Sequence, residues 1–435
     1  MITTETATAF APPPAPQSLE DTGLSPDLVL QIVTKTLHLA GELSGTELSE
    51  RLGVSFQIVE PALALLKREH HCEISGGSVL GGPSFRYRLT DTGRVRAALF
   101  LEHDHYIGAL PVPLEQYSAY IKQFAGEELH LNKARIRDAF SHLVLSPRVL
   151  DQLGPAIAAR HSLFVYGPPG NGKTVISQAI REVLTGDMAV PHALSIDGHI
   201  IRIFDPVNHE RIDGGEDSSG LARMDLYDGR WVRCRRPLIT AGGELMLDGL
   251  ELGYSTSTGL YRAPLQVLAN GGVLVIDDFG RQQVPPVVLL SRWIVPLESR
   301  VDYLTLKTGQ KFEVPFQTFV VFATNLKPSD LVDEAFLRRI QYKVLAESPT
   351  VDEFIQIFEN YCRQKRLAFD RSFAEYVVHD VKQRGIHLRA CHPRDLIEHA
   401  LSIGSYLDLP RGLTIDLLAE ACATYFVEDR DLAEA

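Results

Sequence analysis

The chain has 435 residues, 45% of them hydrophobic and 23% charged, with a net charge of −12 and five cysteines. That length supports two or three domains with real cores, and the acidic balance weighs against a broad nucleic-acid-binding surface. The cysteines (Cys72, Cys234, Cys362, Cys391, Cys422) form no metal-type pair, no apolar run is long enough to cross a bilayer, and the N-terminus lacks a secretory signal, so a reduced, cytoplasmic protein with no membrane insertion is expected.

Residues 1–24, rich in Thr, Ala and Pro, read as a disordered tail that cannot bury a core. A compact module follows over 25–103. "SPDLVLQIVTKTLHLAG" opens with a Ser cap and a Pro in the first turn, then shows helical apolar spacing. "GTELSERLGVSFQIVEPALALLKREHH" reads as helix, tight turn and helix, with the turn at Gly53-Val54-Ser55. Two strand-like runs, "CEISG" and "FRYRLTDTG", flank a glycine-rich link, and "RVRAALFLEHD" closes the unit. This order resembles a winged-helix domain. A DNA reader would place cations and amides early in its second helix. Here that helix starts Phe56-Gln57-Ile58-Val59-Glu60-Pro61, where Glu60 would repel phosphate and Pro61 would kink or shift the helix start. Arg86, Arg88, Arg94 and Arg96 offer only modest backbone contacts, so docking of a protein is preferred and DNA stays open.

A Pro-punctuated connector with two amphipathic stretches spans 104–150, and strands and helices then alternate up to 348, which implies a parallel α/β sheet. In "LFVYGPPGNGKTVISQAI" a buried-strand pattern runs into a helix pattern through glycines and prolines. Gly167, Pro168, Pro169, Gly170, Asn171, Gly172, Lys173 and Thr174 match the phosphate-binding loop, whose N–H groups cradle phosphates at a helix start. Lys173 would reach the β- and γ-phosphates of ATP, and the Thr174 hydroxyl would ligate Mg2+. The plainer alternative is a glycine-rich turn that holds nothing.

"GGVLVIDDFGR" gives a second buried strand, Val273–Ile276, ending in two acids. Asp277 suits a magnesium site beside Thr174, and Asp278 suits the orientation or deprotonation of water. A third strand, "FVVFATN", ends at Asn325, placed to position that water or simply to form a turn. The segment 186–270 between the first two motifs carries Tyr254 and Tyr261, expected as exposed aromatics of a projecting insertion, whose loop around Leu252–Tyr261 is either a moving contact with a client or a packed surface insertion. After the acids come a helix and a hairpin with a Thr-Gly turn, and residues 349–435 read as helices only.

Gly167–Thr174, Val273–Asp278, Thr324-Asn325 and Leu337-Arg338-Arg339-Ile340 occur in the order and rough spacing of the AAA+ ATPases, and the chain from about 111 to 430 resembles that family. The helix and hairpin before "VPFQTFVVFATN" look like its MoxR-type and enhancer-binding side. The resemblance implies an α/β P-loop NTPase parallel sheet with a C-terminal helical lid, preceded here by the small α+β winged-helix-like domain. It also implies Mg2+-dependent ATP hydrolysis and a ring, as a homo-hexamer, in which Arg338 or Arg339 completes a neighbour's site. "HPRDL" places Arg394 where the family's sensor 2 arginine contacts the γ-phosphate from the lid. Asp278 stands where most active members carry Glu. The expected function is remodelling of a protein client. A DNA-binding regulator or helicase helper, and a nucleotide-gated scaffold, are the alternatives.

Overall fold

The computed structural model describes residues 12–77, 81–126, 131–184, 186–212, 227–331 and 337–426. The expected tail over 1–11, residues 332–336 and the chain end 427–435 lie outside the described residues. The chain divides into two compact units. The first takes 1–129, 184–275 and 282–320; the second takes 130–183, 276–281 and 321–435. No helix among the described residues is long and apolar enough to cross a membrane.

In the first unit the N-terminal module has helices Pro26–Ala40, Gly45–Leu52, Phe56–Arg68 and Asp91–His103 and strands Glu42–Ser44, Cys72–Gly77 and Phe85–Leu89. Phe85–Leu89 is the middle strand, antiparallel to both others. Each of the first three helices starts after a serine: Ser25 and Ser44 accept an N–H bond from Leu28 and Glu47, while Ser55 makes no such bond. The Gly53-Val54-Ser55 turn falls where the sequence places it. Pro61 does not move the helix start; it lies inside the helix from Phe56, on the exposed face.

Two expectations are corrected here. Residues 12–24, expected to belong to the tail, are ordered. Ser18 and Asp21 form a capping box over a short helix, Thr22 is buried, and Leu24 joins the module's core. The anchor is Arg230, which is 2% exposed. It donates to both Asp228 carboxylate oxygens, to the Thr22 carbonyl at 3.0 Å and to Gln116 Oε1 at 3.0 Å. A buried guanidinium persists only when paired and bonded in this way. The second correction is Tyr261, which is buried, not exposed. It lies between the rings of His199 and Tyr254, and its hydroxyl accepts the Lys307 N–H at 3.0 Å. The segment is packed: Gly253–Ser255 and Leu260–Arg262 form the end of a five-stranded sheet that continues through His199–Arg202, Ala193–Ile196 and Val112–Pro113. The 25–103 module also shares its core with this sheet, through Ala193, Ile200 and Leu260.

A second five-stranded sheet has the order Leu238–Ala241, Val273–Ile276, Phe319–Thr324, Leu163–Tyr166, Tyr342–Leu345. The pairs on either side of Leu163–Tyr166 are parallel. Val273–Ile276 and Phe319–Thr324 are buried along their whole length, as strands covered on both faces must be. The order is not that of the chain, so the first strand lies between two that follow it. The four helices Val351–Gln364, Arg371–Gln383, His392–Tyr406 and Ile415–Tyr425 form a separate apolar core around Phe354, Phe358, Leu396 and Leu418.

Candidate active site

The second unit assembles its site at the carboxyl ends of parallel strands. After Tyr166 the chain turns through Gly167, with φ of 140°, and Gly170, with φ of 79°, before the helix Lys173–Val183 starts. Both glycines are also close-packed. A Cβ on Gly167 would stand 2.6 Å from the Ala346 carbonyl oxygen, and one on Gly170 would stand 2.6 Å from Cys391 Sγ. Only glycine meets the dihedral and the space together.

Lys173 is 7% exposed. Its ammonium donates to the carbonyls of Gly167 at 3.0 Å and Pro168 at 2.9 Å, and to Asn325 Oδ1 at 2.6 Å. Asn325 Nδ2 in turn donates to Asp278 Oδ1 at 3.1 Å, and the Thr174 hydroxyl donates to Asp277 Oδ2 at 2.7 Å. The Asp278 N–H caps Asp277 Oδ1 at 2.9 Å. The five residues thus form two linked strings, Lys173-Asn325-Asp278 and Thr174-Asp277, joined where the acids adjoin. Asp278 has φ of 48°, a left-handed conformation that Asp tolerates better than most residues. Phe279 pins that turn: its N–H donates to Ala323 at 2.7 Å and its ring packs on Phe164 and Phe322. Burial pulls the Lys173 ammonium below the usual lysine value; Asp277 and Asp278 push it back, and Arg389 and Arg281 add to the lowering.

Other expected site residues fall elsewhere. The Asn171 side chain donates to the Ala346 carbonyl at 3.2 Å and accepts the Ala390 N–H at 3.4 Å, so it ties the loop to the segment entering the lid. The Cys391 N–H donates to the Gly170 carbonyl at 2.9 Å, a second tie. Arg394 is exposed and turned to Asp395 at 2.8 Å. Arg389, which sequence reading passes over, donates to Ser348 Oγ at 2.7 Å and is close enough to act on Lys173 electrostatically. Arg281 is the other cation it missed. The available signal was only that both arginines flank motifs. Arg338 and Arg339 precede the strand Tyr342–Leu345, whose register sets Tyr342 beside Leu163 and Leu345 beside Tyr166. They therefore stand at the amino end of the sheet, and the phosphate loop stands at its carboxyl end.

An oxygen-only donor pair, a hydroxyl and a carboxylate, suits a hard divalent cation that keeps its other positions for water and phosphate. No group of three or more His, Cys, Asp or Glu that could hold a metal ion occurs among the described residues. Thr174 and Asp277 would hold Mg2+, which would neutralise phosphate charge when bound.

His392 opens the lid helix beside the loop. Its Nδ1 accepts the Arg389 N–H at 3.3 Å, and the rings of Tyr425 and Phe426 enclose it. Burial, helped by Arg389 and opposed by Asp395, pushes its pKa down to about 4. The folded lid therefore prefers the neutral ring. Stability from this group is full above about pH 6.5, where the unfolded chain is also neutral, and is lost as pH falls toward 4. A shift of this size is worth about 3 kcal/mol. Thermal melts between pH 7 and 4.5 should fall less steeply for His392→Gln than for the parent, and equal slopes would rule His392 out as a source.

The geometry defines a class: an α/β core with a phosphate-loop turn and a helical lid. Residues 350–424, the lid helices, match the model of a domain of unknown function, DUF8689. No curated protein matches the chain. Among solved structures, the chain is similar to a point mutant of RuvB from Thermotoga maritima at 15% identity, covering 66% of this chain and 71% of that one, with a TM-score of 0.40. It is also similar to NtrX from Brucella abortus at 14% identity, covering 69% and 61%, with a TM-score of 0.40. NtrX in complex with ATP gives 13% identity over 79% and 66%, with a TM-score of 0.39.

Proposed function

We propose that this chain is an AAA+ ATPase of the MoxR-type side, hydrolysing ATP to ADP and phosphate to remodel a protein client in the cytoplasm. The observation that carries the reading is the bonded string of Lys173, Asn325 and Asp278 beside Thr174 and Asp277. Such a string puts a cation, a polar amide, two carboxylates and a metal-binding hydroxyl around one loop, which is the set phosphoryl transfer uses. Lys173 holds the β- and γ-phosphates, Thr174 and Asp277 hold the metal, and Asp278 with Asn325 orients water and accepts its proton. Arg389 joins Arg394 as a candidate lid cation.

The N-terminal module, read as winged-helix-like, recruits the client. Four of its six arginines are already paired: Arg86 with Glu42, Arg88 with Glu73, Arg94 with Asp91 and Arg96 with Glu69. Phosphates would have to displace four acids, which weighs against the DNA-directed reading.

Asp278→Asn tests the proposal. It keeps the Asn325 bond partner but removes the base, so the variant should bind ATP, cleave it at least about tenfold more slowly and retain the client in a pull-down. Turnover equal to the parent's would move water activation elsewhere. A parent chain that binds Mg-ATP without steady-state phosphate release would favour the scaffold.

A further inference from the structure

The first unit holds a cavity of about 490 Å3 at the ends of the strands His199–Arg202 and Leu260–Arg262. These strands are parallel, and their register sets Arg262 against Arg202. Residues opposite one another on neighbouring strands share a face about 4.8 Å apart, so two exposed guanidinium-bearing side chains leave the sheet side by side. Like charges in that relation weaken a sheet. No acid lies within ion-pair distance of either among the described residues. Asp205, the acid of the lining, is already committed: its carboxylate accepts the Val207 N–H at 3.0 Å and the Asn208 amide at 2.7 Å.

The wall opposite Arg262 is Gly253, which is paired with it in register and presents no side chain. Arg262 lies across that gap, with Nε 3.6 Å from where a Cβ on Gly253 would stand. The strand Gly253–Ser255 ends its sheet, so one side of its backbone faces no strand among the described residues. An edge strand beside a cavity offers an extended peptide main-chain hydrogen bonds, with a pocket for alternate side chains. Guanidinium forks in that pocket select carboxylates, bidentately and by charge.

We propose that the Arg202–Arg262 cavity and its edge strand bind an acidic, extended segment of a protein client. This rests on the client being a protein. The binding needs no nucleotide, so it is measured apart from ATP turnover and its failure is distinguishable from failure of the ATPase reading.

The test uses the full chain without nucleotide and a fluorescein-labelled peptide alternating Asp and Val, read by fluorescence anisotropy at low salt. The parent should bind it, and the same peptide with Asn for Asp should not bind. Arg202→Gln and Arg262→Gln should each weaken binding about tenfold or more, while Lys173→Ala binds as the parent does. Arg262→Lys keeps the charge but loses the fork, and should fall between; it also serves if a glutamine variant melts early. Failure of the parent to bind the peptide overturns the proposal, as does equal binding by both glutamine variants. Arginine-dependent binding of inorganic phosphate with the peptide ignored overturns it too, and would assign the cavity to a free anion.

Discussion

Lys173→Ala is expected to abolish ATP turnover and reduce nucleotide binding below detection. Lys173 Nζ bonds the loop itself, through the Gly167 and Pro168 carbonyls, and it also reaches Asn325. Arg389 is held by Ser348, and Arg394 is held by Asp395, so neither is free to take its place. A truncated side chain would also leave two acids facing the phosphates with less positive charge to offset them. The loss should be in binding and in rate together, since the same ammonium serves ground state and transition state. Isothermal titration with Mg-ATP and a phosphate-release assay check it. A variant with parent-like turnover would remove the phosphate-loop assignment.

The second large effect concerns Arg338 and Arg339. The strand that separates them from the loop end of the sheet has four residues, which spans about 13 Å at the rise of a strand. An arginine side chain at the amino end does not cover that length to its own phosphate loop. A role for either in hydrolysis therefore has to be in a neighbouring subunit, where a cation delivered from outside can be worth about a thousandfold or more in rate. Arg338→Ala or Arg339→Ala should leave ATP binding intact and collapse turnover. Mixing that variant with Lys173→Ala, which has a dead pocket but sound arginines, should restore partial activity that varies with the mixing ratio and disappears on dilution. Full turnover by a monomeric parent, with no complementation by either variant, would end the expectation of a ring.

What the sequence by itself determined is local. The strands Leu163–Tyr166, Val273–Ile276 and Phe319–Thr324, the loop from Gly167 to Thr174 and the Gly53 turn stand where the residues place them. Each strand is an apolar run, long enough for one strand and bounded by residues that force a turn, so neighbours a few positions away carry all the information. What only the tertiary structure decided depends on partners far along the chain. Residues 12–24 are ordered because Arg230, about two hundred positions on, bonds the Thr22 carbonyl. Arg86 is neutralised by Glu42, and Arg389 turns to Ser348 while Arg394, five positions later, turns to its neighbour Asp395. Arg202 and Arg262 become a pair through the register of two strands sixty residues apart. A charged side chain is long, and the partner that claims it is chosen by which surfaces the folded chain brings within about 4 Å, a choice the local pattern does not encode.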